Sequence, residues 1–201
     1  MVCVDNREQV RGGELSLDRI LSINDLENRK SKTIVKQIED IFFESSVVQS
    51  FASLEAKEKF LHKYLGIYIQ DLTEGGNSNT LFKYACLEEQ KVLGYICGNV
   101  DTLKNQELFK LLPFYHLLEE ELREFPSHLH INCSSTSRGM GVGKALVKEF
   151  EMACGAKGAI GLHLITDPKN TNVQFYRKQQ FLFEKTFEYK DSKMIFMAKK
   201  L

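Results

Sequence analysis

A short apolar strand that runs into a glycine-rich loop and straight on into a helix leaves few folds open to this chain. Leu129, Ile131 and Cys133 alternate with His128, His130 and Asn132, the period of a strand. Arg138-Gly139-Met140-Gly141-Val142-Gly143 follows, and Val142, Leu146, Phe150 and Ala153 then share one helical face. Amides at a helix N-terminus have no intrahelical partner, and the helix dipole makes that end positive, so such a loop is suited to phosphate. Glycines at 139, 141 and 143 remove side chains that would hold a pyrophosphate off the backbone, while Arg138 and Lys144 add charge at the rim. The plainer reading is a turn that only joins strand to helix.

Spacing excludes two familiar phosphate loops. A P-loop needs glycine at position 138 and Ser or Thr at 145, where the chain has Arg138 and Ala145. A dinucleotide fingerprint starting at Gly139 needs a third glycine at 144, where Lys144 stands.

The remaining pattern places this unit in a mixed sheet. Ile34, Ile38, Ile41 and Phe42 recur as on a helix, and Ser53 caps a second helix with Glu55 in its first turn and Phe60, Leu61, Tyr64 and Leu65 as its buried face. Glu74 to Asn79 reads as a loop. A hairpin is expected from 80–87 and 91–100, linked by Glu88-Glu89-Gln90. Residues 101–127 turn helical, and Pro113 should divide them into two short pieces. A strand at 160–166, a helix at about 172–179 and a terminal pair, 181–189 and 194–198, complete the order ααββ(α)βαβαββ. That order argues for one α/β domain with a mixed central sheet and packed helices over residues 31–201, after an arm or lead-in strand at 1–30.

Composition narrows the partners. Lysine plus arginine equal aspartate plus glutamate at 27 each, so no basic footprint points to nucleic acid. No apolar run is long enough for a membrane span, and charges interrupt the N-terminus where an export signal would need an apolar core. Cys3, Cys86, Cys97, Cys133 and Cys154 are scattered and odd in number, which fits reduced thiols in the cytoplasm and no zinc site. Glu119-Glu120-Glu121 does not suit a metal either, because neighbouring helical positions do not converge; it reads as a solvated face.

The loop has the form [RQ]-x-x-G-x-[GA], and Phe175-Tyr176-Arg177-Lys178-Gln179-Gln180-Phe181 resembles an F-Y-x-K-x-G-F motif. Together they resemble the GNAT N-acetyltransferases over about residues 34–199. Ile41 to Ser46, Ser50 to Ser53, Val92 to Tyr95 and Phe125 to Asn132 resemble a subgroup related to the acetyltransferase-like domain of bacterial O-GlcNAc hydrolase relatives. The chain departs twice from the pattern. Gln180 stands where a glycine is expected, and the motif asparagine falls on Lys169, with Asn170 one place off and expected to serve in its stead.

The resemblance implies a central, mostly antiparallel sheet, splayed at the acetyl-CoA site, with helices on both faces. It implies acetyl-CoA as co-substrate, no metal, and a primary amine of a small molecule or protein as acceptor. Pyrophosphate would lie on Arg138 to Lys144. The pantetheine arm and thioester carbonyl would pair with backbone in Ile131 to Cys133, and Tyr176 would protonate the departing thiolate.

On the strand itself, His130 is the candidate base, directly or through water, and Asn132 the group that orients substrate or water; a purely structural histidine is the alternative. Parity sends Cys133 and His130 to opposite faces, which opposes a Cys–His nucleophile pair. Residues 101–127 would shape the acceptor cleft or simply complete the core. A binding module that holds acetyl-CoA or a peptide without turnover is the rival function. Neither the acceptor nor the oligomeric state is written in these motifs.

Overall fold

The computed structural model describes residues 20–23, 28–46, 48, 50–73, 78–87 and 91–201. Most of the expected N-terminal arm, part of the 74–79 loop and the 88–90 link lie outside them. The elements are β1 (Ile20–Ser22), α1 (Asn28–Ser45), α2 (Leu54–Leu61), α3 (Ile67–Thr73), β2 (Thr80–Leu87), β3 (Lys91–Asn99), α4 (Gln106–Leu111) and α5 (Glu119–Glu124). They continue with β4 (Ser127–His128), β5 (His130–Cys133), α6 (Val142–Ala156), β6 (Gly161–Thr166), α7 (Asn172–Lys178), β7 (Phe183–Tyr189) and β8 (Ser192–Lys200). This is the mixed, mostly antiparallel architecture with helices on both faces that the motif order implied.

β3 is buried along almost its whole length, because helices cover both of its faces. On one face Ile34, Ile38, Ile41 and Phe42 of α1 pack with Tyr95, Cys97 and the insertion residues Leu108, Leu112, Tyr115, Leu118 and Leu122. On the other, Val142, Leu146, Val147 and Phe150 of α6 and Val173 and Tyr176 of α7 pack with Leu93, Ile96, Leu129, Leu162 and Leu164. Burying one aliphatic side chain of this kind contributes about 1.5–3 kcal/mol, so both faces hold the sheet firmly.

Two expectations shift. Ser53 caps α2 through an Ala56 amide bond of 3.1 Å, but of the face expected to be buried only Leu65 is, with Ile67 and Tyr68 beyond it. A π-helical turn at His62–Gly66 inserts an extra residue and rotates the buried face. The segment 101–127 divides further than Pro113 alone requires: 3₁₀ turns at Thr102–Lys104 and Pro113–Leu117 alternate with α4 and α5. Of the run Glu119-Glu120-Glu121, Glu119 and Glu120 are exposed, while Glu121 pairs with Lys185. No helix among the described residues is long and apolar enough to cross a membrane.

The sheet divides inside the strand that precedes the loop. β4 pairs in parallel with β6, Ser127 opposite Leu162 and His128 opposite His163. The Leu129 amide then donates to the His163 carbonyl at 3.0 Å. From His130 on, the chain pairs with β3 instead, antiparallel, with Asn132 opposite Tyr95. The result is two four-stranded halves, β1-β2-β3-β5 and β4-β6-β8-β7. Gly98 permits the bend: a Cβ there would lie 1.8 Å from the His128 carbonyl oxygen, so only glycine lets β3 pass so close.

Candidate active site

Beyond Leu129, one edge of β5 has lost its neighbour. On an antiparallel strand, backbone groups point alternately to either side. Ser134 donates to the Leu93 carbonyl, and by the same parity Asn132 and His130 pair with β3. The amides and carbonyls of Ile131 and Cys133 therefore point the other way, into the gap that opens between β5 and β6.

The loop continues directly from this edge. Ser137 anchors it, with Oγ 2.8 Å from the Leu93 carbonyl oxygen, and the Ser135 amide donates to Glu44 at 3.2 Å. Gly139 and Gly141 have φ of +79° and +78°, the left-handed region that glycine enters without strain. A Cβ at either would meet nothing within 4 Å, so the loop faces open space. The first bond into α6 runs from the Ala145 amide to the Gly141 carbonyl at 3.0 Å. The Val142 and Gly143 amides precede it and project from the helix end. The Met140 amide is directed inward to Ser137 at 3.2 Å. Arg138 and Lys144 are exposed at the rim.

α7 closes the other side of the gap. Tyr176 is buried beside Cys133, and burial holds its phenol well above its ordinary pKa. Burial also pushes the Cys133 thiol up to about 11, with Arg138 drawing it back. The α7 terminus positions Tyr176: the Gln180 amide bonds the Arg177 carbonyl at 3.0 Å and the Phe181 amide bonds the Tyr176 carbonyl at 3.1 Å. This is a Schellman end, and Gln180 adopts the φ of +68° that normally calls for glycine.

The asparagines at the start of α7 divide their labour. Asn170 is exposed, and its Oδ1 accepts from the Asn172 amide at 3.2 Å. The Asn172 Oδ1 is buried with no hydrogen-bond partner. Asn172 lies four residues before Tyr176, on the same helix face. Sequence reasoning passed over Asn172; the i, i+4 spacing to Tyr176 was its only signal.

The opposite face of β5 carries the polar row, as the alternation required. Asn132 Nδ2 donates to the Tyr95 hydroxyl at 2.9 Å and to His130 Nε2 at 3.1 Å. The Tyr95 hydroxyl also reaches Nε2 at 3.1 Å. An amide nitrogen only donates, so Nε2 is an acceptor and the His130 proton sits on Nδ1. Burial lowers the His130 pKa to about 4, which makes it a weak base at neutral pH. Phe42 of α1 lies against it, ring centroids 6.1 Å apart. His128, the third polar residue, is tied into the core by Tyr68 at 2.8 Å and Thr102 at 2.9 Å. Cys133 and His130 lie on opposite faces and form no pair.

The arrangement thus joins a glycine-led helix N-terminus, a strand edge turned away from β3 and a protonated phenol on one side of the split sheet. A neutral polar cluster lies on the other side. A model described as the acetyltransferase (GNAT) family matches residues 35–181. Among solved structures, the protein named SsHAT is similar at a TM-score of 0.62 and 16% identity, covering 90% of this chain and 98% of that one. The ribosomal-protein-alanine N-acetyltransferase from Brucella melitensis is similar at 0.55 and 16%, covering 90% and 99%. A GNAT-family acetyltransferase from Streptococcus pneumoniae is similar at 0.54 and 18%, covering 90% and 98%. At these identities the likeness to the three structures is one of fold.

Proposed function

The chain belongs to the GNAT family of acetyltransferases, and from that premise we propose that it transfers the acetyl group of acetyl-CoA to a primary amine by direct attack in a ternary complex. One observation carries the proposal: the unpaired edge at Ile131 and Cys133 adjoins both the glycine loop and Tyr176. The residues fit the co-substrate, since Gly139 and Gly141 face open space and Asn172 offers a buried acceptor with no donor.

Acetyl-CoA supplies an acetyl group already activated as a thioester. In this reading the Val142 and Gly143 amides hold the pyrophosphate, helped by the backbone of Gly139 and Gly141 and by the charges of Arg138 and Lys144, while the Met140 amide stays bonded to Ser137. Amides of Ile131 and Cys133 receive the pantetheine arm and the thioester oxygen. One such preorganised donor lowers the barrier by about 3 kcal/mol. Asn172 Oδ1 accepts from an amide of the arm, while Asn170 Oδ1 holds the Asn172 amide at the start of the helix that carries both Asn172 and Tyr176. Tyr176 donates its proton to the departing thiolate, and burial keeps that proton in place until then.

The acceptor approaches from the other face. Asn132 accepts an N–H of the amine through Oδ1, which leaves the nitrogen lone pair for attack. His130 is a poor direct base, with Nε2 already taking two donors, so the proton leaves through water and the amine enters uncharged. Residues 101–127 back this cleft. The likeness of segments 41–46 and 125–132 to the O-GlcNAc hydrolase-associated domains supports that subgroup as the closer kinship.

The weak basicity of His130 favours one rival reading, a module that binds acetyl-CoA without turnover. Calorimetry with acetyl-CoA and a thiol-release assay over an amine panel decide between them. Binding with transfer is expected, and Tyr176→Phe should slow turnover about 100-fold with acetyl-CoA affinity unchanged. Tight binding without transfer would favour the module, and no binding would remove both.

A further inference from the structure

Tyr95 lies in the middle of β3 with no exposed surface, its ring stacked on Phe82 at 5.7 Å between centroids. A buried phenol needs partners for its hydroxyl, and Tyr95 finds both in the site. It stands directly opposite Asn132 in the strand register, accepts from Asn132 Nδ2 at 2.9 Å and donates to His130 Nε2 at 3.1 Å. Both bonds of the Asn132 amide leave from Nδ2, which turns Oδ1 the other way.

We propose that Tyr95 is a positioning residue for the acceptor: its hydroxyl orients Asn132 so that Oδ1 meets the incoming amine, and it holds His130 as the neutral Nδ1–H tautomer. The inference rests on the acetyl-transfer reading. A neutral amine brings N–H donors and one lone pair, so the site must offer it an acceptor. Without the Tyr95 hydroxyl only the His130 bond holds the amide, and a shift of the imidazole proton to Nε2 with a half-turn of the amide would confront the amine with a second donor. Among the described residues, the groups recorded against His130 supply no charge to a protonated amine. They are Tyr95 of β3, Asn132 of its own strand, Phe42 of α1 and the neutral His128 of β4.

Tyr95→Phe tests this with the ring and its stack retained. Asn132 and His130 still bond each other at 3.1 Å, so the fold loses no essential contact. The acceptor KM should rise about fivefold, the worth of one hydrogen bond, with acetyl-CoA affinity unchanged. Nitrogen NMR of the His130 imidazole should show the Nδ1–H tautomer in the native protein, with protonation near pH 4, and a mixture of tautomers in the variant. In an Asn132→Ala background the Tyr95 change should add nothing further to KM. A native-like imidazole spectrum in Tyr95→Phe would overturn the inference. So would equal KM effects with and without Asn132. Lack of transfer to every amine in the native protein would instead remove the acetyl-transfer reading, a failure the imidazole spectrum does not share.

Discussion

The Phe181 amide donates to the Tyr176 carbonyl at 3.1 Å, and the two rings meet edge to face with centroids 6.0 Å apart. The residue that ends α7 and the proposed proton donor are thus one structural unit. Gln180 lies between them in the left-handed region, at φ +68°.

A side chain there is strained, because a Cβ crowds the following carbonyl. Gln180→Gly should stabilise the protein by about 0.5–1 kcal/mol, after allowing for the freer unfolded chain. Thermal unfolding would read this as a rise of about 2 °C, with turnover unchanged. A fall in melting temperature would show that the Gln180 side chain contributes more than its strain costs.

Gly141→Glu should abolish acetyl-CoA binding while leaving the fold intact, through steric block and repulsion of the pyrophosphate. The control is Gly158→Glu, at the far end of α6, also at positive φ and also facing open space. Both variants bear the same backbone strain of about 1 kcal/mol. Only the first should weaken binding, by about 100-fold or more. Equal affinity in calorimetry would displace the phosphate site from this loop.

Asn172→Leu removes a buried acceptor that has no donor. Stability of the free protein should hold or rise, since such an atom costs about 1–3 kcal/mol when unpaired. Affinity for acetyl-CoA should fall about fivefold. Affinity for 3′,5′-ADP, which lacks the pantetheine arm, should not move. Loss of affinity for both ligands would mean that Asn172 supports the phosphate end instead.

Three buried histidines predict acid sensitivity. Burial lowers His130 to about 4 and His163 to about 3, and holds His128 well below its ordinary value. Their unfolded pKa is about 6.5, so below that the unfolded chain binds protons that the native state refuses. Their stabilising effect is complete above pH 6.5 and declines as pH falls towards 4. Each histidine removes up to about 1.4 kcal/mol per pH unit in that window. Urea midpoints at pH 7, 6 and 5 should therefore drop steeply, before carboxylates titrate. A flat response to pH 5 would place these rings in contact with water.

Local pattern determined much of this protein. The alternation at 128–133 placed His130 and Asn132 on one face and Cys133 on the other. The three loop glycines marked the start of α6, and the Phe175-Tyr176 pair selected the family. These features depend on the strand and helix periods and on positive φ, which neighbouring residues dictate. Tertiary structure decided the rest. Tyr95 is distant in sequence from Asn132, and only strand register made them partners. The split at Leu129 needed β3 on one side, β6 on the other and Gly98 beneath the bend, a choice of hydrogen-bond partners that no periodicity encodes. His130 carried the sequence signature of a base, but its burial and two donors, both products of packing, made it a neutral acceptor. The loop pointed to the donor substrate; in the proposed reading, the packing around Asn132 and His130 sets the chemistry its acceptor must meet.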